Sequence, residues 1–382
     1  MTDLRLGIDA SNITIGGGLT HLVAFLEDAF STGRYRKILL WSSSETIAKL
    51  PAPPADLEVE YRSNPALNAG IISRVRWTTR FLHHEAHGLV DVLFVPGGLY
   101  LGQFRPFVTM CRNMLPFDAL ERVRFGFFSR EHVRLCLLRI FQALTFKRAD
   151  RLIFLSQYAQ REISRLVRLD ARRQVIVPHG IAESFRDVCA NYNGELRADH
   201  LRLVYVSTLM PYKYQLEVVD AVAHLAEKGI DVELDLIGGG DAAYITRVRE
   251  RIGEAALTDR VHLVGAVPHA EVPAYYRAAD AAFYASGCEN FPNILVEAMA
   301  TGLPVISSDR GPMPDILGTD ALYFDPSAPE SIADALQRFA EMAPAERHAM
   351  SVSARHLAEG YSWASTFEET ARVIFSCVEG TA

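Results

Sequence analysis

The stretch Gly287-Cys-Glu-Asn-Phe-Pro-Asn-Ile-Leu-Val-Glu297 lies between two apolar runs and decides how the chain is interpreted. The run before it, Ala281–Ala285, predicts a buried strand, and the run after it, Pro304–Ser308, predicts another. Between them, a helix is predicted to begin near Pro292 and to end at Gly302. A strand, a loop, a helix and a further strand in this order indicate part of an α/β fold.

The predicted helix start is a good place to bind a phosphate group. The first amides of a helix have no intrahelical partner and lie at the positive end of its dipole. Glu289 precedes the helix, close to where a phosphate would bind. Glu297 lies on the second turn, where a carboxylate can accept two hydrogen bonds from a ribose diol. On these two residues alone, a solvated acid followed by a helix-capping acid explains the pattern equally well.

The residues around the two acids favour the functional interpretation. The spacing from Glu289 to Glu297, followed by Ala-Met-Ala-x-Gly302-x-Pro-Val-Ile, resembles the signature of retaining glycosyltransferases of family 4. The resemblance implies an α/β fold of the GT-B type, with two Rossmann-like domains facing across a cleft and a C-terminal helix crossing back to the first domain. In that family the first acid lies beside the donor sugar, the second binds the nucleotide ribose, and the amides between them hold the diphosphate. The resemblance assigns these roles to Glu289, to Glu297 and to the backbone of Asn293, Ile294 and Leu295.

The sequence departs from the family pattern at three places. Asn290-Phe291-Pro292 replaces Gly-Phe-Gly after the first acid, which stiffens the loop. The pattern Gly-Arg-Leu-x-x-x-Lys ends here in Lys213, the implied catalytic cation, but Thr208 stands at the arginine position among the donor contacts. The His-Asp pair near the sugar is replaced by Arg112-Asn113, for which we expect a contact with the acceptor or a phosphate; a solvated arginine is the alternative. Either Arg112 or Arg310 replaces the lost cation, or phosphate binding is weaker.

Glycines mark the other implied donor contacts. Gly16-Gly17-Gly18 follows the first predicted strand and does not match a dinucleotide fingerprint, although such a run lets the backbone approach a ligand closely. A tight turn is the alternative. By resemblance, Gly17 and Gly18 lie under the donor diphosphate, and Gly238 and Val267, at the ends of two later strands, line the base and ribose pocket.

Length and composition predict two ordinary globular domains. The chain has 382 residues, of which 49% are apolar and 22% are charged. Strand-like and helical runs alternate, as in parallel sheets covered on both faces. We expect an acceptor-side Rossmann-like domain at 1–184, a nucleotide-sugar-binding Rossmann-like domain at 185–362, and a helix at 363–382 that packs back on the first domain. Residues 185–200 have the composition of a linker.

Neither a metal site nor a disulfide framework is expected. The five cysteines, at positions 111, 136, 189, 288 and 377, have no metal-type spacing, and their odd number argues against a disulfide framework. The sequence contains no Asp-x-Asp pair, so we expect no divalent metal and no cofactor beside the nucleotide-sugar substrate. The run Leu4–Asp9 has the pattern of a strand rather than of a signal peptide. These features favour a cytoplasmic protein.

Charge is unevenly distributed along the chain. Residues 1–184 hold 24 Lys and Arg against 17 Asp and Glu, whereas the remainder holds 15 against 29. Within the basic part, Phe128–Lys147 predicts a long amphipathic helix. The surrounding basic residues are Arg122, Arg124, Arg130, Arg134, Arg139, Lys147, Arg148 and Arg151, and the aromatic ones are Phe125, Phe127, Phe128, Phe141 and Phe146. An anionic membrane surface or a lipid diphosphate fits this composition better than a nucleic acid, for which no binding module is present. A core helix with one charged face is the alternative.

The resemblance to family 4 implies a retaining hexosyltransferase. The donor is expected to be a nucleotide-diphosphate sugar, for example a GDP-sugar such as GDP-mannose, and the sequence leaves the sugar and the base open. The acceptor is expected to be a glycan or a polyprenyl-linked glycan in the synthesis of a surface polysaccharide such as lipopolysaccharide, at the inner face of the membrane. Two alternatives remain: a non-catalytic sugar-nucleotide-binding protein, suggested by the missing arginine and histidine, and a GT-B epimerase that acts on the nucleotide sugar without an acceptor.

Overall fold

The computed structural model describes residues 4–14, 16–196 and 200–379, and the chain forms two compact units. The first unit takes in the chain up to Phe117, Arg130–Gly180 and the chain from Ser362 onward. The second takes in Asp118–Ser129 and Ile181–Tyr361. Residues 1–3 of the first predicted domain, 197–199 of the predicted linker and 380–382 of the predicted C-terminal helix lie outside the described residues.

Each unit contains one sheet in which the paired strands are parallel. The strands are β1 Arg5–Asp9, β2 Lys37–Trp41, β3 Glu58–Arg62, β4 Val92–Val95, β5 Phe107–Cys111, β6 Arg151–Phe154, β7 Gln174–Ile176, β8 Leu201–Val206, β9 Val232–Ile237, β10 Val261–Gly265, β11 Ala281–Tyr284, β12 Val305–Ser308 and β13 Leu322–Phe324. The first unit has the order β3-β2-β1-β4-β5-β6-β7, and the second has β10-β9-β8-β11-β12-β13. Both are doubly wound orders, in which the strand sequence reverses beside the first strand and ligands bind outside the carboxyl ends at that point.

Helices connect the strands of both sheets. They are α1 Gly17–Thr32, α2 Ser44–Ile47, α3 Pro65–Asn68, α4 Ile71–Arg80, α5 Leu82–Ala86, α6 Ala119–Val123, α7 Arg130–Arg148, α8 Gln157–Leu166, α9 Gln215–Glu227, α10 Ala242–Glu254, α11 Val272–Ala278, α12 Asn293–Thr301, α13 Met313–Leu317, α14 Pro329–Glu341, α15 Pro344–Ala358 and α16 Trp363–Glu379. Helices α4 and α5 are separated at Phe81, where the chain turns. In the described part of the chain, we find no helix with both the length and the apolar character needed to cross a bilayer.

The strands and the helix predicted around residues 287–297 are confirmed by the structure. Strands β11 and β12 are buried along their whole length and flank α12, which begins at Asn293. Gly302 ends this helix in the left-handed conformation, with φ 83°, which glycine adopts without steric strain. Most of α12 is buried, so its orientation is fixed by packing on both sides.

The last helix completes the first unit. Helix α16 packs against α1 and against the central strands β4, β5 and β6. Phe367 of α16 lies 5.3 Å from Phe25 of α1, and Phe375 stacks on Tyr35 at 5.6 Å between ring centroids. Aromatic side chains of this size bury large apolar areas, so the C-terminal helix is part of the core of the first unit, as the resemblance implies.

Candidate active site

Lys213 and Glu289 meet at the point of the second sheet where its strand order reverses. Lys213 follows β8 and Glu289 follows β11, and these two strands are paired neighbours. The ammonium of Lys213 donates to Oε1 of Glu289 and, at 3.1 Å, to the hydroxyl of Tyr284. Tyr284 and Ser286 donate to the same carboxylate oxygen at 2.7 and 2.6 Å. The two residues predicted to act on the sugar and the diphosphate are thus brought into direct contact.

The surroundings keep Lys213 charged although it is buried. Its residue exposure is 7%, and burial by itself pulls its pKa down. Glu289 and Tyr212 outweigh this effect, so the pKa of Lys213 lies above its usual value. An ammonium group has three N–H donors, and two acceptors are recorded here, so one donor remains for a ligand. A buried cation of this kind stabilises an anion far more than a cation in bulk water does.

Glu297 has one satisfied and one unsatisfied oxygen. Its Oε1 lies 3.0 Å from Nε2 of His269, whereas Oε2 is buried and has no hydrogen-bond partner among the described residues. Burial raises the pKa of Glu297, and His269 partly opposes the rise. The hydrogen bond to Glu297 in turn raises the pKa of His269. A buried carboxylate oxygen that accepts no hydrogen bond destabilises the folded protein. A ribose hydroxyl could donate the missing hydrogen bond.

The start of α12 has fewer backbone amides available for a phosphate than the sequence suggests. Pro292 precedes the helix and gives no side-chain cap. The amide of Leu295 donates to the carbonyl of Pro292 at 2.9 Å, so its predicted contact with phosphate would require that bond to be replaced. The amide of Ile294 has no backbone partner within the described chain. Asn293, the third predicted contact, is the first residue of the helix.

A segment before α7 supports the Lys213 loop from within the second unit. Glu121 accepts a 2.6 Å hydrogen bond from Tyr214, and a methyl group at Gly287 would lie 2.5 Å from Glu121 Oε1. The guanidinium of Arg124 stacks on the Tyr214 ring at 3.9 Å and donates to the carbonyl of Pro211 at 3.1 Å. Arg122 is buried at 7% exposure. Arg122 is therefore buried and Arg124 is held against the Lys213 loop, whereas contact of this basic segment with a membrane stays a prediction.

The other predicted donor contacts of the second unit lie at the carboxyl edge of its sheet. Thr208 is exposed after β8, and its carbonyl accepts a bond from Gln215. Gly238 has φ 141° and donates its amide to Gly265, and a methyl group there would lie 2.0 Å from the Ser207 carbonyl oxygen. Close strand packing is therefore sufficient reason for this glycine. Val267 is half-buried after β10.

Arg310, one of the two cations expected to replace the lost arginine, is already paired. Its guanidinium lies 2.9 Å from Asp325 and 3.3 Å from Asp309. The next residue, Gly311, is close to the site, since a methyl group there would lie 3.7 Å from the Glu289 amide nitrogen. Arg310 thus lies near the loop, with its charge balanced by carboxylates.

Arg112 and the glycine turn meet in the first unit. Gly17 and Gly18 form the first turn of α1, and a methyl group at Gly18 would lie 3.6 Å from Nη2 of Arg112. Nη1 of Arg112 is buried with no hydrogen-bond partner among the described residues. Burial lowers the pKa of this guanidinium to about 10, which still leaves it charged at neutral pH. Asn113 instead accepts a 3.0 Å bond from the Leu115 amide and shapes the turn.

Sequence reasoning missed three buried polar residues of the first unit. Asp9 ends β1, and burial raises its pKa to about 6. His21 stacks on His179 with ring centroids 4.9 Å apart, and neither nitrogen of His21 has a hydrogen-bond partner in the described structure. Burial, followed by the charges of His179 and Arg112, lowers the pKa of His21 well below its usual value. A buried aspartate at the end of the first strand was a detectable signal, whereas the histidine pair joins residues far apart in the sequence.

One group of potential metal ligands occurs among the described residues. Glu233, Asp235 and His262 place ligand atoms within 4.8 Å of one another on β9 and β10. Glu233 is also bonded to His200 at 2.9 Å and to Arg202 at 3.2 Å. Arg202 balances the charge of Glu233 and His200 is hydrogen-bonded to it, so the group is explained as a polar network on the sheet.

The strand orders and the helix positions define a GT-B fold. HepE of Anabaena, crystallised with UDP and glucose, superposes on 98% of this chain and 100% of its own with a TM-score of 0.72 at 18% identity. At this level of identity the similarity establishes the fold. The predicted pair of Rossmann-like units is thereby confirmed.

The sequence of the second unit is similar to that of known glycosyltransferases. Residues 193–357 match the family of glycosyl transferases group 1. A D-inositol 3-phosphate glycosyltransferase of Kineococcus radiotolerans is 28% identical over 257 residues, which are 61% of this chain and 59% of that protein. The amylovoran biosynthesis glycosyltransferase AmsK of Erwinia amylovora is 32% identical over 142 residues, 36% of this chain and 34% of that protein. The chain spans about half the length of the first curated relatives that it matches. Residues 193–357, which carry the signature described above, are thus similar to glycosyl transferases group 1.

Proposed function

We propose that the protein is a glycosyltransferase that uses a nucleotide-diphosphate sugar. The observation that carries the proposal is the grouping of Lys213 with Glu289 at the reversal point of the second sheet, followed by a helix that carries Glu297 with an unsatisfied oxygen. Lys213 suits a diphosphate, Glu289 suits the donor sugar and Glu297 suits the ribose. The match of residues 193–357 to glycosyl transferases group 1 supports the same reading.

In the proposed reaction, the bond between the anomeric carbon and the leaving diphosphate breaks while a bond to an acceptor oxygen forms. Lys213 and the free amide of α12 stabilise the charge that develops on the diphosphate. Glu289 positions the donor sugar through its second oxygen and does not attack it. The proton of the acceptor hydroxyl passes to a diphosphate oxygen, so no general base is needed. We propose that the anomeric configuration is retained, as in the family that the signature resembles.

The proposed acceptor is anionic. Arg112 has a buried guanidinium nitrogen without a partner among the described residues, next to the glycine turn of α1. Planar guanidinium groups bind phosphates in two-point contacts. The relative from Kineococcus radiotolerans is named for D-inositol 3-phosphate, a phosphorylated polyol. A phosphorylated glycan or a polyprenyl-linked glycan fits this requirement, and we propose a role in surface polysaccharide synthesis at the inner face of an anionic membrane.

The identity of the donor sugar is tested by a thermal-shift screen of nucleotide sugars. A donor that binds the folded state must raise the midpoint of unfolding. GDP-mannose is the donor proposed from the sequence, and UDP-glucose is its competitor, since HepE was crystallised with UDP and glucose. Incubating the best ligand alone and then with an acceptor separates the alternatives: an epimer without acceptor indicates an epimerase, binding without chemistry indicates a non-catalytic protein, and a glycoside supports the proposal. Proton NMR of the glycoside shows whether the configuration is retained.

The proposed reaction requires no metal. Lys213 and helix amides supply the positive charge that a divalent ion would otherwise supply. Turnover that persists in excess EDTA supports this part of the proposal, and turnover restored only by added Mg²⁺ or Mn²⁺ would refute it.

A further inference from the structure

Helices α4 and α7 of the first unit carry apolar residues on faces that the rest of the unit does not cover. On α7, Leu135 is fully buried, whereas Leu137 is 50% and Ile140 is 55% exposed. On α4, Trp77 is buried at 5% and Ile72 is 83% exposed. A helix at the surface of a globular protein normally buries one apolar stripe and presents polar residues to water. Additional exposed apolar faces on neighbouring helices mark an interaction site.

The exposed faces border an open cavity of about 540 Å³, which we call the α4–α7 groove. Its apolar lining consists of Ile71, Ile72 and Val75 from α4, Leu99 and Leu101 from the chain after β4, and Leu137, Leu138 and Phe141 from α7. This volume is within the range of roughly 300 to 1,000 Å³ found for small-molecule sites. A lining of aliphatic and aromatic side chains selects a hydrocarbon ligand.

Arginines give the α4–α7 groove a positive border. Arg76 and Arg80 of α4 line it, together with Arg134 of α7. Arg134 is paired with Glu131 at 2.5 Å, whereas neither Arg76 nor Arg80 has an ion pair or hydrogen bond within the described residues. Helix α4 contains no acidic residue. The charge next to the apolar lining is therefore complementary to an anion such as a phosphate.

We propose that the α4–α7 groove binds one lipid phosphate, with its aliphatic chain against Ile72, Leu137 and Phe141 and its phosphate on Arg76 and Arg80. Within the proposed function this lipid is the anchor of the acceptor, and in that respect the inference rests on the proposed function. A concave site of this volume accommodates a single chain, whereas a flat bilayer surface would cover the exposed residues without filling the cavity. The groove thus gives the first unit a means of holding a lipid-linked substrate by its chain.

The proposal is tested by direct binding to the full-length protein, without turnover. Isothermal titration calorimetry compares monomeric geranylgeranyl phosphate with geranylgeraniol, which lacks the phosphate, and with inorganic phosphate, which lacks the chain. We expect the lipid phosphate to bind about tenfold or more tightly than either partial probe, because the apolar and the charged contacts both contribute. The proposal is overturned if the lipid phosphate does not bind, if the alcohol binds equally well, or if binding occurs only to phosphatidylglycerol vesicles, which would indicate docking to a bilayer.

Variants locate the site. Leu137→Asp and Ile72→Asp place a carboxylate in the groove at exposed positions, and each is expected to weaken binding of the lipid phosphate about tenfold or more. Combining Arg76→Gln with Arg80→Gln should lower affinity for the lipid phosphate to that for the alcohol. Leu166→Asp, at a 49% exposed leucine of α8 outside the groove, is the matched control and should bind like the wild type. Wild-type affinity in both groove aspartate variants, each checked for its unfolding midpoint, would place the lipid elsewhere and overturn the proposal.

Measurements of turnover and of nucleotide-sugar binding test the proposed function independently of the α4–α7 groove. If the groove variants keep turnover on a soluble acceptor and lose lipid binding, both proposals are supported. If the wild type binds lipid phosphate but no nucleotide sugar, the proposed function fails while the groove assignment stands.

Discussion

Lys213 and Glu289 are 76 positions apart in the chain, yet the ammonium of Lys213 donates a hydrogen bond to Oε1 of Glu289. The pairing of β8 with β11 brings them together, because both residues follow the carboxyl ends of these neighbouring strands. The side-chain exposures of 9% and 16% show that the contact is largely withdrawn from water. The resting site thus holds its cation against a carboxylate, and a bound diphosphate must share that cation.

The first prediction separates the stability of this ion pair from its role in catalysis. Lys213→Ala and Glu289→Gln should each lower turnover by about 10²-fold or more, since the charge that stabilises the leaving diphosphate or the group that positions the sugar is lost. Lys213→Ala should also lower the unfolding midpoint, because it leaves a buried carboxylate without its cation. The double variant Lys213→Met with Glu289→Gln should regain stability but not turnover. Lys228→Ala, at a half-exposed lysine near Asp334, is the control. Near-normal turnover in both single variants would refute the assignment of Lys213 and Glu289 to the active site.

The second prediction concerns recognition of ribose by Glu297. Its unpartnered Oε2 should accept a ribose hydroxyl, so Glu297→Gln should weaken binding of a nucleoside diphosphate about 10- to 100-fold. The same variant should lose the preference of the wild type for a ribonucleotide over its 2′,3′-dideoxy analogue, measured by calorimetry. Glu330→Gln, on the first turn of α14, is a control acid outside the site. An unchanged preference in Glu297→Gln would show that the ribose binds elsewhere.

The third prediction concerns Arg112. Replacing it with methionine should raise the KM for an anionic acceptor about tenfold or more, since a charge-assisted hydrogen bond is lost. The unfolding midpoint should stay the same or rise, because a buried guanidinium nitrogen without a partner among the described residues is removed. Arg112→Lys should restore only part of the affinity, because an ammonium lacks the planar two-point geometry. A lower midpoint with an unchanged KM would assign Arg112 a structural role.

The fourth prediction concerns the pH dependence contributed by Asp9. Burial raises the pKa of Asp9 to about 6, above its value of 3.8 in the unfolded chain. The folded state therefore holds the proton more tightly, and stability falls as the pH rises from about 4 to about 6. Since one pKa unit corresponds to about 1.4 kcal/mol, Asp9→Asn should add on the order of 2 to 3 kcal/mol above pH 6 and little at pH 4.

This pH dependence is measured as the difference in unfolding midpoint between Asp9→Asn and the wild type at a series of pH values. The exposed Asp334→Asn is the control and should show no such trend. A difference that is constant from pH 4 to pH 7 would contradict the assignment.

The fifth prediction concerns Gly238. A methyl group there would lie 2.0 Å from the Ser207 carbonyl oxygen, and the φ of 141° is unfavourable for other residues. Gly238→Ala should therefore destabilise the second unit by about 2 kcal/mol or more. Gly253→Ala, in α10 with no atom within 4 Å of the added methyl group, should instead stabilise by about 0.5 to 1 kcal/mol. Denaturant unfolding compares the two, and equal effects would contradict this packing argument.

By its resemblance to family 4 the sequence implied the GT-B class, and by itself it determined the alternation of strands and helices and the limits of α12. These follow from local patterns: the apolar runs of β11 and β12 and the left-handed Gly302 are readable without knowing any distant contact. The signature also indicated that Lys213 and Glu289 belong to one site. A pattern of this kind records which residue types the chemistry needs, and it carries no information about which atoms touch.

The tertiary structure alone decided the partners of those residues. It joined Lys213 to Glu289, gave Glu297 its histidine partner His269, and stacked Arg124 on the Tyr214 ring. It also left Nη1 of Arg112 buried and unpartnered among the described residues and opened the α4–α7 groove. The physical reason is that burial and hydrogen bonding between distant segments depend on how sheets pair and helices pack, and those distances are fixed once the whole chain has folded.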